Sequence, residues 1–140
     1  MLRSVVGVLV GVILGALIVL VVEAASHQLF PAPAGFSPKD AGAVASLPFA
    51  TKFSVLVAWC VGAFGGGVAA SLIAKRWAPT AWVVAATILL FAASNFSAFP
   101  HPLWMMLGAA PATLLGGRLA IAATRATYGR PPSSPPKPGL

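Results

Sequence analysis

The stretch from Phe53 to Ala74, FSVLVAWCVGAFGGGVAASLIA, followed at once by Lys75, Arg76 and Trp77, decides how this chain folds. Its roughly 22 residues carry no charge, enough at about 1.5 Å per residue to cross a bilayer core of about 30 Å. Gly62, Gly65, Gly66 and Gly67 sit in its middle, and Gly62, Gly66, Ala70 and Ala74 recur at a spacing of four. Small residues at that spacing let neighbouring helices approach backbone to backbone in lipid, where van der Waals contact replaces the hydrophobic effect. The basic pair at its end is a topology signal.

Outward from this span the pattern repeats. Leu2 to Val22 form an apolar run interrupted only by Arg3 and Ser4, and a first span is expected over about 2–23. A cleaved signal peptide is the competing reading, but signal cores run about 7–15 residues. This one is nearer 18, and Glu23 makes a poor cleavage context, so a retained helix is expected. Gly7, Gly11 and Gly15 again recur every four residues. After the turn at Lys75–Pro79 a third span is expected over about 80–99, and after Pro100-His101-Pro102 a fourth over about 103–125. Gly108, Ala112, Gly116 and Ala120 repeat the small-residue spacing there, and Pro111 is expected to kink the helix. The expected fold is therefore all-α, a four-transmembrane-helix bundle.

Two segments are not spans. Between Glu23 and Lys52, Pro31 and Pro33 end the first helix. Ser37-Pro38-Lys39-Asp40 then reads as a helix start, with Ser37 as cap and Asp40 completing a capping box. A short interfacial helix to about Leu47 is expected from it, halted by Pro48. Residues 130–140, RPPSSPPKPGL, have nothing apolar to bury and are expected to form a disordered Pro-rich cytoplasmic tail.

Composition agrees. Of 140 residues 59% are hydrophobic and 8% charged, with a mean hydropathy of +0.92, against about 25% charged in soluble domains. The net charge of +7 would suggest nucleic acid in a soluble protein. Here the cations cluster at span ends, without the basic, aromatic-interleaved groove that strand binding needs, so lipid is the expected partner and nucleic acid is not. Arg3, Lys75, Arg76, Arg125, Arg130 and Lys137 fall on one side, with Arg118 able to snorkel to it; Lys39 and Lys52 fall on the other. That bias predicts an N-in/C-in protein, with both termini and the Lys75–Pro79 turn in the cytoplasm.

Chemistry is sparse. Cys60 is the only cysteine, which leaves an intrachain disulfide or C-x-x-C site out of reach. Gly65-Gly66-Gly67 is followed by no Lys-Ser/Thr, so it is no phosphate loop. No cofactor is implied. Glu23 and His27 are four apart and share a face if the first helix continues through them; His101 and Asn95 belong to the same end of the bundle. Glu23, His27 and His101 are thus the candidate metal ligands, or a carboxylate–imidazole relay. The plainer reading is that they end a span at headgroup level. The residues expected to mediate helix packing are Gly7, Gly11, Gly15, Gly62, Gly66, Ala70, Gly108, Ala112 and Gly116.

With EAASHQLFP at 23–31, AWCVGAFGGG at 58–67 and PHPLW at 100–104, the chain resembles small four-span bacterial integral membrane proteins of unknown function over about residues 1–125. The resemblance implies a four-span fold in a bacterial inner membrane and supplies no activity or site. The small multidrug exporters share this size and span number, but they carry a carboxylate in mid-membrane on the first span, where this chain has Gly11, Val12, Ile13 and Leu14. Three readings follow: a non-enzymatic packing or interaction subunit, self-associating or part of a larger membrane complex; a small transporter or channel with Glu23 and His27 at its outer mouth; or a metal-binding membrane enzyme using Glu23, His27 and His101. The sequence favours the first.

Overall fold

The computed structural model describes residues 1–40 and 42–129; the tail expected at 130–140 lies outside them. Among the described residues the regular elements are all helical: α1 (Leu2–Leu29), α2 (Ala43–Ser46), α3 (Phe49–Ile73), α4 (Ala78–Ala98) and α5 (Leu103–Thr124). All but α2 are long and apolar enough to cross a membrane. This is a four-span, multi-pass architecture.

Proline and glycine set the boundaries. At 28 residues, α1 outruns its expected end at residue 23, and at about 1.5 Å per residue it is some 42 Å long, more than a bilayer core needs. It continues through Glu23 and His27 and stops at Phe30 (φ −131°, ψ 72°), which precedes Pro31 and so is disfavoured in the helical region. Pro48 precedes α3, which begins at Phe49 rather than Phe53.

The helix expected from Ser37 forms only at Ala43–Ser46. Ser37–Asp40 closes as a turn, with the Asp40 amide donating to the Ser37 carbonyl at 3.2 Å. Gly42, at φ 79°, then separates that turn from the helix. Lys52 reaches back from α3 to donate to the Ala45 carbonyl at 2.7 Å, and Val44 is buried, so α2 is held against the start of α3. Helix α5 runs unbroken through Pro111. The proline removes the donor for the Leu107 carbonyl; one turn on, the buried Thr113 hydroxyl donates to the Ala109 and Ala110 carbonyls at 2.9 and 3.0 Å.

Helix α3 is the hub, packed on α1, α4 and α5, while α4 also touches α1 and α5. Glycine contacts give the register. Gly7 faces Ala70, Gly11 faces Gly66 and Gly15 faces Gly62, so α1 and α3 are antiparallel. Gly11 also meets Val84 and Gly15 meets Ile88, so α1 and α4 run parallel. Gly116 lies on Cys60 and Ala63, and Gly67 on Ala120, so α5 runs alongside α3 in the same sense. The core at this crossing is Trp59, Ala63, Ala70, Val84, Ala85, Ile88, Ala92 and Ala109.

Candidate functional site

Continuing the α1–α4 register places Glu23 level with Phe96, next to Asn95, and the helix end carries His27 one turn further. Glu23 is half-buried and His27 exposed. His101 belongs to the same end but is occupied locally. Its Nδ1 lies 2.8 Å from the Phe99 carbonyl, and its ring meets Phe96 edge-on at 5.0 Å. Phe96 in turn packs edge-on against Trp59 at 5.4 Å, so His101 closes an aromatic column over α3 and α4. Among the described residues no three His, Cys, Asp or Glu side chains are grouped so as to hold a metal ion. The structure therefore keeps Glu23 and His27 on successive turns of α1 and does not bring His101 to them.

The expected packing residues differ in burial. Gly7, Gly11, Gly15, Gly62, Gly66 and Gly116 are buried, as is Ala70, while Gly108 and Ala112 are half-buried. A Cβ on Gly7, Gly11 or Gly15 would sit 2.8, 2.6 and 2.9 Å from the carbonyl oxygens of Ala70, Gly66 and Gly62. At Gly66 and Gly116 it would overlap the carbonyl oxygens of Gly11 and Cys60. Those obstacles are backbone and cannot rotate away. Gly108 differs, since its neighbour is the flexible end of Leu56 at 3.0 Å. Cys60 itself is half-buried on α3 with a free thiol.

Buried hydroxyls in the bundle mostly turn back on their own helices. Ser26 donates to Val22, Thr80 to Trp77, Thr113 to Ala109 and Thr124 to Ala120, all at 2.7–2.9 Å. Thr51 and Ser71 are buried with no hydrogen-bond partner among the described residues.

The opposite end holds a junction that local sequence patterns do not announce. Lys75, Arg76 and Arg125 all adopt positive φ (57°, 60° and 52°). The Ala78 amide donates to the Thr127 carbonyl and the Thr127 amide to the Arg76 carbonyl, both at 2.9 Å, so the α3–α4 turn pairs with the chain leaving α5. The Trp82 indole N–H donates to the Tyr128 hydroxyl at 2.9 Å and fastens that segment to α4. Its partners are 46 residues apart, and no local sequence pattern pairs them.

Fold and geometry define a four-span helical membrane protein with one polar end and one strongly basic end. No protein-family model, curated protein or solved structure matches the chain.

Proposed function

We propose that this chain is a non-enzymatic integral membrane subunit of a bacterial inner membrane that works by association, with copies of itself or within a larger membrane complex. The observation that carries the reading is the interior of the bundle. Backbones meet at Gly11–Gly66 and Cys60–Gly116 with no room for a Cβ, and the buried Thr113 and Thr124 hydroxyls bond to carbonyls of their own helix. Such an interior supports static packing, because a transport path needs polar groups aimed at a shared lumen. The exposed apolar side chains of α1, among them Leu9, Ile13, Leu17 and Leu20, give lipid or a partner helix a continuous surface.

The orientation we propose places both termini and the Lys75–Pro79 turn in the cytoplasm. Arg3, Lys75, Arg76 and Arg125 at one end against Lys39 and Lys52 at the other support it. In that orientation α2 rests at the outer interface. The test of association is native mass spectrometry of protein released from lipid nanodiscs, beside affinity purification from native membranes. A defined oligomer or a stoichiometric membrane partner supports the reading; a lone monomer in both experiments overturns it.

A further inference from the structure

At the basic end, the last turns of α3 and α5 enclose a groove of about 370 Å³ lined by Val68, Leu72, Arg76, Ala123, Thr124 and Arg125. We propose that this groove binds the phosphate headgroup of an anionic glycerophospholipid, with Arg76 and Arg125 on the phosphate and an acyl chain along Val68, Leu72 and Ala123.

Three observations carry the assignment. The first is chemical fit. Both guanidiniums belong to exposed residues at the groove, while Val68, Leu72 and Ala123 give it an apolar wall, with Leu72 53% exposed. Arginine pairs with phosphate through a planar fork of donors. Basic pockets between membrane helices are suited to acidic headgroups. A free phosphate would leave the apolar wall uncovered, whereas a lipid covers both halves.

The second is charge. The chain has only two acidic residues, Glu23 and Asp40. By the antiparallel register of α1 and α3, Glu23 lies at the far end of the bundle, and Asp40 lies in the loop that joins α1 to α3 at that same end. No Asp or Glu of this chain therefore lies at the end that carries Arg76 and Arg125.

The third is pre-organisation. Arg76 and Arg125 stand just past the ends of α3 and α5 in the left-handed region, a position usually filled by glycine because a Cβ there costs about 1–2 kcal/mol. The Arg76–Thr127 and Ala78–Thr127 hydrogen bonds tie the two segments to each other. Both side chains thus project from one fixed junction, which lowers the ordering cost of binding.

The test is native mass spectrometry of the full chain with phosphatidylglycerol or with phosphatidylcholine of identical acyl chains. The comparison is between wild type, Arg76→Gly, Arg125→Gly, the double variant and Lys39→Gln. Glycine suits the left-handed backbone at both positions, so these variants keep the fold, and thermal melting is recorded alongside. One phosphatidylglycerol retained about tenfold more tightly than phosphatidylcholine is expected. Each single glycine variant should lose several-fold, the double variant should lose the preference, and Lys39→Gln should keep it. Millimolar inorganic phosphate should not displace the lipid. Equal retention of the two lipids by wild type, which needs no variant, would overturn the proposal. So would an undiminished preference in the double variant, or displacement by inorganic phosphate.

Discussion

Gly66 lies so close to Gly11 across the α1–α3 interface that a β-carbon on Gly66 would overlap the Gly11 carbonyl oxygen. At Gly65, one residue earlier, a β-carbon would meet only the terminal carbon of Ile18, the far end of a flexible side chain. Adjacent glycines on one helix therefore face different obstacles, one fixed and one able to swing away. The contrast separates a packing role from a general effect of glycine content.

Replacing Gly66 by alanine is expected to destabilise the bundle by about 1–3 kcal/mol, the usual cost of overpacking. Gly65→Ala should be neutral or stabilising, because alanine is the better helix former by about 1 kcal/mol and Ile18 can rotate. Thermal melting in detergent measures both. Equal losses in the two variants would mean that the backbone contact at Gly66 has no special weight.

Ser71 is fully buried and its hydroxyl has no partner among the described residues. Ser71→Ala removes an unsatisfied polar group and is expected to raise stability by about 1 kcal/mol. Thr113→Val removes a hydroxyl that is bonded to Ala109 and Ala110 and should lower it by a similar amount. A drop in the melting temperature of Ser71→Ala would show that its hydroxyl has a role in the folded protein.

The Trp82–Tyr128 hydrogen bond anchors the segment after α5. Trp82→Phe or Tyr128→Phe should leave the fold intact and loosen the junction. Faster hydrogen exchange is expected at the Thr127 amide, with that of mid-α3 residues such as Ala63 unchanged. Exchange at Thr127 as slow as in wild type would show that the backbone pairing with Arg76 suffices alone.

Orientation is tested by alkaline phosphatase fusions. A fusion at Ala43, in α2, should be active, and one at Ala78, at the basic turn, inactive. The reverse pattern would invert the protein.

Much of the bundle was legible because apolar runs and small-residue spacing are local properties of the chain. The four-residue rows on α1 and α3 lie opposite one another, Gly7 to Ala70 and Gly15 to Gly62. Boundaries were less legible. Lys52 looked like the edge of a loop, yet α3 already includes it, its ammonium reaching the Ala45 carbonyl. The start signal at Ser37-Pro38 yielded to the left-handed Gly42. The candidate cluster was legible only to the level of a shared bundle end. Topology brings Glu23, His27 and His101 to one end, but side-chain packing, which has no local signature, decides whether they meet; the His101 ring packs on Phe96 with Nδ1 against the Phe99 carbonyl. The pairing of Trp82 with Tyr128 is long-range and has no local signature.

The most direct test of a packed, non-conducting interior is a single cysteine at Thr113, a fully buried position on α5, in a Cys60→Ala background. In intact membranes a membrane-impermeant maleimide applied from either side should leave Thr113→Cys unlabelled, with full labelling after denaturation in detergent. Labelling in the intact membrane would reveal a water-filled route to the centre of the bundle. That result would contradict the packing reading and favour a transporter.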